Sequence, residues 1–419
     1  MTLIGGLRKL NKRNLRHWAV LLAVIVGIGG VVLGMHQIDQ QDKQEIAATN
    51  HRHARQTHAV IAKAAAISRQ QRNHQKTAFD KANSGKSAPK FSAHLRQELK
   101  NRKFVGTALV VKKGHVVYQQ AFGMANAQHH KKNTVRSQFM INSVQKSMTG
   151  MLVMKAAQTG QLQLTDKLSQ YYPSISGSQR VTIRQMLNME AGIVGQLRPA
   201  TTLTENEVYK YASQNAKVDA KKIGKFDYQP ICYALLAGIL HQVTHDSYYE
   251  LFYQQLVTPL NLNHTSFAQL RTTTKGMTVG YAGAVPRDYS QPHKPAAANL
   301  ASQLATGNAT MSAGDVFRAE RAIISGSLLT TKAGADVLHE RQQSIHYAGG
   351  MYHLDNQRGY YGHGMGDDYE STFVMSHDGQ TGVVFLSNNF EKKTMYPEWS
   401  TEKLAMATFD HIMKPMKLK

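Results

Sequence analysis

Residues 139 to 150 read FMINSVQKSMTG, an apolar lead-in followed by a helical pattern carrying Ser143 and Lys146 three residues apart. Positions i and i+3 share a helix face, so the hydroxyl and the amine are predicted to lie side by side. The run Met148 to Met154 is apolar almost all round, which predicts a helix buried in the core and stopped near Gly160. Burial disfavours the ammonium form of a lysine, and a neutral amine can take the proton of a serine, the activation a weak nucleophile needs. The first N–H groups of such a helix also point where an oxyanion would form. No carboxylate lies within four residues of Lys146 in sequence.

The same Ser-x-x-Lys spacing occurs twice more. Ser87 to Lys90 spans Pro89 inside the breaker NSGKSAP (83–89), and Ser400 to Lys403 reads as the first turn of a last helix. Neither is expected to do chemistry. That last helix, from about Pro397, is expected to bury Trp399, Met406, Phe409 and Met413 along one face.

Outward from this segment, the chain divides by composition. Residues 1–17 hold five basic residues and no acid, and WAVLLAVIVGIGGVVLGM (18–35) carries no charge. Eighteen helical residues reach about 27 Å, close to the hydrocarbon thickness of a bilayer. The expectation is an N-terminal transmembrane helix at 18–35 with residues 1–17 cytoplasmic and the rest outside, since no A-x-A-like cleavage site follows. Residues 36–90 are rich in Gln, His, Ala and Lys, with ten basic residues against four acidic, and read as a solvated basic spacer. Their histidines lack the ligand spacing of a metal site, and no metal or cofactor is expected.

Residues 91–419 read as one globular domain. GTALVVKKGHVVYQQAFG (106–123) predicts two strands about a Lys113-Gly114 turn, and STFVMS (371–376) with GVVFLS (382–387) predicts a second hairpin. Residues 150 to 330 are mainly helical and turn-rich. Strands at both ends with helices between predict an α+β fold whose antiparallel sheet pairs the chain's two ends, flanked by helices and a helical subdomain. The net charge of +23 predicts a polyanionic partner, and the extracellular placement makes that an anionic wall polymer or anionic lipid headgroups, with no nucleic acid. The lone Cys232 excludes an internal disulfide and is expected in the core. TMSAG (310–314) misses the Gly-x-Ser-x-Gly elbow, His339-Glu340 lacks the second histidine of a zinc helix, and Gly362–Gly366 precedes a strand where a dinucleotide loop would precede a helix.

From residue 91 to the end, the sequence resembles the serine β-lactamases and penicillin-binding proteins, especially the class C β-lactamase-like branch. FMINSVQKSMTG resembles the family's nucleophile helix, FDYQPICYALLAGILHQVT (226–244) its Tyr-x-Asn segment, and YGHGMG (361–366) its Lys/His-x-Gly strand. LQLTDKLSQYYP (162–173), VTIRQMLNMEAGI (181–193) and PLNLNHTSFA (259–268) resemble its interior segments in order. The resemblance implies a β-lactamase/transpeptidase-like fold with Ser143 as the acylated nucleophile and Lys146 as its proton acceptor. Tyr228 would be a proton-shuttling phenol, its pKa of about 10 brought into useful range by a nearby cation. His363 would stand at the family's Lys position facing an anionic substrate, beside Gly364 and Gly366, with the N–H groups of Ser143 and Gly366 forming the oxyanion hole. Two departures stand out: Pro230 replaces the Asn of the second motif, and Met365 replaces a Gly of the third.

The implied function is a membrane-anchored extracellular serine hydrolase acting through an acyl-enzyme on cell-wall D-alanyl esters or peptides. Charge and Pro230 together favour an esterase on teichoic acid. The alternatives are a DD-carboxypeptidase or β-lactamase acting on peptidoglycan-derived substrate or drug, and an inactive wall-polymer-binding module.

Overall fold

The computed structural model describes residues 12–282, 285–342, 346–390 and 400–414, with side chains from residue 39 onward save that of residue 356. Two compact units result, Met1–Arg52 and His53–Lys419. The helix α1 (Lys12–Gln71) continues through the boundary between them. The side chains of the expected membrane anchor, 18–35, lie outside the described residues. Among the described residues no helix is long and apolar enough to cross a membrane.

The second unit is built on strands β1 (Gly106–Lys112), β2 (His115–Phe122), β3 (Tyr347–Ala348), β4 (Met351–His353), β5 (Gly359–Gly366), β6 (Tyr369–Ser376) and β7 (Gly382–Ser387). They form one sheet in the order β3-β4-β5-β6-β7-β1-β2, antiparallel throughout. The chain's ends meet where Thr107 pairs with Leu386 and Val110 with Val383. Lys113 and Gly114 both take positive φ, as a tight hairpin turn requires.

The period of two along these strands feeds two cores. Ala108, Val110, Val383 and Phe385 pack beneath helices Pro89–Asn101 and Thr401–Met413, against Leu95, Leu99 and Phe409. Leu109, Val111, Val384 and Leu386 point into the larger core on the opposite face. There the helices α2 (Gln145–Gln158), α3 (Ile231–Thr244) and α4 (Ala313–Ile324) pack. Cys232 is buried in α3, as expected. The last helix buries Leu404, Ala405, Phe409 and Ile412, while Met413 is exposed and Trp399 lies outside the described residues. Ser400 and Lys403 do open it, but Glu370 of β6 holds that end, accepting from Thr401 N at 2.7 Å and Ser400 Oγ at 3.1 Å.

One expectation fails. The spacer is not solvated from residue 53 on. Thr57, Ile61, Ala64 and Ser68 form a buried stripe on α1, spaced four, three and four residues apart as one helix face requires. Ser68 accepts from Thr258 at 2.7 Å, His53 Nδ1 lies 3.1 Å from Glu207, and Phe79 stacks on Phe317. Small residues let this helix sit close to the domain, and they give almost no hydropathy signal.

Two histidines make the fold acid-sensitive. His339 and His353 pack against Tyr360 with ring centroids at 4.8 and 5.0 Å. Burial is the main cause in both: with His353 as the lesser cause it pushes the His339 pKa down to about 3, and with Arg341 and His377 as lesser causes it pushes that of His353 down to about 4. The folded state therefore resists protons that the unfolded chain binds below about pH 6.5, so their contribution is present above that pH and is lost as pH falls towards 4 and 3. Thermal unfolding should move to lower temperature through this window, His339 alone removing about 2–3 kcal/mol by pH 4.5. His339→Gln should flatten the profile; an unchanged slope would refute the assignment.

Candidate active site

The nucleophile sits in a turn the chain must bend sharply to make. Phe139–Met140 is a short strand, Asn142 takes φ 48°, and Asn142–Val144 forms a 3₁₀ turn leading into α2. Asparagine tolerates the left-handed region better than most residues. Its Nδ2 donates to the carbonyls of Gly366 at 3.2 Å and Tyr369 at 3.4 Å, tying the turn to β5 and β6. The helix that follows is buried from Gln145 to Met154 and stops before Gly160.

Lys146 is 1 % exposed, and its Nζ lies 2.9 Å from Ser143 Oγ and 3.0 Å from the Thr306 carbonyl. No carboxylate pairs with it among the described residues. The Thr306 carbonyl is delivered by Gln145, whose Oε1 accepts from Ala309 N at 2.8 Å and whose Nε2 donates to Asn308 at 3.3 Å. Ser147, on the next position, donates to Glu320 at 2.7 Å. Burial pushes that carboxyl up to about 8, so it is a neutral acid at physiological pH and adds no negative charge near the amine.

Tyr228 reaches the same amine through its ring, with Lys146 Nζ 5.3 Å from the centroid. Its hydroxyl makes no hydrogen bond to Ser143 or Lys146. Tyr347 and Tyr352 pack against the same ring, with centroids at 6.0 and 6.5 Å. Such a ring face stabilises the lysine as a cation. Pro230 caps α3 and lies on the wall of the cleft, offering no donor where an Asn would stand.

The third segment divides by parity. Gly362, Gly364 and Gly366 turn to the nucleophile side of β5, and Gly364 is a contact point. A Cβ there would lie 2.5 Å from Ile141 O and 2.6 Å from Ser143 N. His363 points the other way. Its Nε2 bonds Glu370 at 2.9 Å and its Nδ1 lies 3.8 Å from Glu402, at the start of the last helix. Burial lowers its pKa but the two carboxylates outweigh it, and the net direction is upward. The histidine expected to face substrate therefore braces the sheet against that helix, because side chains alternate along a strand.

Ser143, Lys146, Pro230, Met365 and Gly366 line a cleft of about 390 Å³, which neither departure closes. Its remaining walls include Gln196, Arg198, Asn299 and Gln303. The last two are fixed by Asp367, which accepts from each at 2.7 Å. No carboxylate lines the cleft among the described residues. Sequence reasoning did not find Thr306, Glu320, Arg198 or the Asp367 clamp, none of which falls in a motif.

Comparison with known proteins gives the family. PbpX of Bacillus subtilis (strain 168), a penicillin-binding protein by name, is 26 % identical over 291 residues, 69 % of this chain and 72 % of that protein. The teichoic acid D-alanine hydrolase of Staphylococcus aureus is 26 % identical over 269 residues, covering 63 % of this chain and 66 % of that one. The crystal structure of FmtA from Staphylococcus aureus superposes with a TM-score of 0.67 at 21 % identity, over 82 % of this chain and 92 % of that one. The Beta-lactamase family model matches residues 91–405. The chain thus belongs to the Beta-lactamase family, the serine hydrolases of the β-lactamase and penicillin-binding-protein superfamily.

Proposed function

We propose that this chain is a membrane-anchored extracellular esterase that removes D-alanine from an anionic wall polymer through an acyl-enzyme. The observation that carries the hydrolase reading is the 2.9 Å approach of a buried, carboxylate-free lysine to Ser143. Lys146 takes the Ser143 proton as Oγ attacks the ester carbonyl, and the C–O bond to the polymer breaks as the amine returns the proton to the leaving alkoxide. Water then attacks the D-alanyl-Ser143 ester by the same route, releasing D-alanine and free serine. In each step the transient ammonium lies against the Tyr228 ring, and the N–H groups of Ser143 and Gly366 are assigned to the oxyanion.

The ester preference is supported by Pro230, which removes the side-chain amide that a peptidase or β-lactamase would use to hold an acylamide. The Staphylococcus aureus relative is by name a teichoic acid D-alanine hydrolase. The uncharged run 18–35 supports the anchor, and the net charge of +23 supports the anionic polymer.

A fluorophosphonate probe applied to the full chain should leave a mass adduct on the peptide containing Ser143, absent from Ser143→Ala. No adduct on folded protein would leave only a wall-polymer-binding module. With the adduct in hand, faster turnover of D-Ala-D-Ala peptide than of D-alanyl ester would replace the esterase by a DD-carboxypeptidase.

A further inference from the structure

The cleft has a charge asymmetry that hydrolysis does not use. Of its two cationic side chains, Lys146 is buried under Ser143, which leaves Arg198 as the one available to a bound molecule. Arg198 is exposed and makes no ion pair or hydrogen bond among the described residues. The same cleft is lined by the amides of Asn299 and Gln303, each of which donates to Asp367. Two acids on the helix that follows in sequence, Glu205–Asn215, are engaged elsewhere: Glu205 accepts from Tyr209, Ser247 and the Tyr248 amide, and Glu207 caps its own helix at Thr204. Arg198 belongs to the segment leaving the strand Ala191–Val194, and that strand's Val194 pairs with the exposed Lys217.

A planar guanidinium offers paired N–H donors that fit two oxygens of a phosphate, and it carries its charge at every relevant pH. A D-alanyl ester has no anionic group, and its free α-amine is itself a cation near neutral pH, so the guanidinium finds no partner there. We infer that Arg198 is a specificity-determining residue that binds a backbone phosphodiester beside the ester-bearing unit. This rests on the esterase reading for the ester, but not for the phosphate. The occupant is a soluble glycerol phosphate chain. A phospholipid headgroup shares the chemistry, but it would be fixed in a bilayer plane while the cleft must admit a polymer repeat.

Two arms test it, both on the full chain in detergent. In the first, a synthetic glycerol phosphate hexamer without D-alanine is titrated into Ser143→Ala by calorimetry. Adding Arg198→Gln should weaken its binding about tenfold, Arg198→Lys should recover part of the loss, and raised salt should erase the difference. Equal affinity with and without the guanidinium would overturn the inference, as would phosphatidylglycerol vesicles binding in an Arg198-dependent way while the hexamer does not. In the second, Arg198→Gln should raise KM for a D-alanylated hexamer about tenfold more than it raises KM for D-alanine methyl ester. An equal loss on both esters would mean Arg198 only shapes the cleft, and the inference falls. If neither ester turns over in the wild type, the esterase reading falls, and the hexamer titration still decides the role of Arg198.

Discussion

Replacing Lys146 with methionine should lower kcat/KM on a D-alanyl ester by about a thousandfold or more while leaving the fold intact. Methionine keeps most of the stem volume but has no proton to exchange with Ser143. The lysine is surrounded by the Tyr228 ring, the Thr306 carbonyl and Ser143 itself. Among the described residues no other base bonds Oγ to take over: Glu320 bonds Ser147 and is held protonated, and His363 is on the far face of β5. Melting should change little, since the substitution removes a polar group that only one carbonyl and one hydroxyl satisfy. The measurement is steady-state turnover with thermal unfolding on the same sample. Activity within threefold of wild type would remove Lys146 from the mechanism and, with it, the acyl-enzyme reading of this site.

Gly364→Ala should be almost as damaging, by a wholly different route. The backbone of Gly364 needs no left-handed conformation, so the glycine is there for space. Its added Cβ would meet Ile141 O at 2.5 Å, Ser143 N at 2.6 Å and Asn142 Cβ at 2.9 Å. Two of these are backbone atoms, which cannot swing aside as a side chain would. The strand and the nucleophile turn must separate by several tenths of an ångström, and the Asn142 bonds to Gly366 and Tyr369 stretch with them. Misplacing a reacting group by about 1 Å can lower the rate about a hundredfold, and overpacking destabilises by about 1–3 kcal/mol. Gly362→Ala is the comparison, because its Cβ would meet the Phe373 ring rather than the nucleophile. It should lose stability with less effect on kcat. Equal kinetic effects in the two variants would mean that general loosening of the sheet, rather than displacement of Ser143, is responsible.

These two residues mark the limits of what a motif conveys. The lysine is found from spacing, because three residues along a helix place two side chains together whatever the rest of the fold does. Gly364 is visible only as a letter in a strand, and its reason lies in a turn more than 200 positions away in sequence. His363 was placed at the substrate by likeness to a Lys/His-x-Gly pattern. Parity could have flagged it: a side chain on β5 sharing the face of Gly364 must differ from it by an even number of positions. The docking of α1 through Ile61, Ala64 and Ser68 was missed for another reason. Alanine and serine are as common on solvated helices as on tightly packed ones, so the pattern carries little information until the partner surface is known.

What the sequence determined by itself was local and periodic: the helix that pairs Ser143 with Lys146, the two hairpins, the alternation that serves two cores, and a sheet that joins the chain's ends. Each follows from 3.6-residue or two-residue repetition acting over a few turns. Only the tertiary structure decided which groups meet the amine, which face His363 takes, and that Arg198 is left without an acid. Those depend on contacts between segments distant in sequence, such as Thr306 against Lys146, Asp367 against Asn299 and Glu370 against the last helix. Their energies are set by burial and geometry in the packed state, and no repeat within a single segment encodes them.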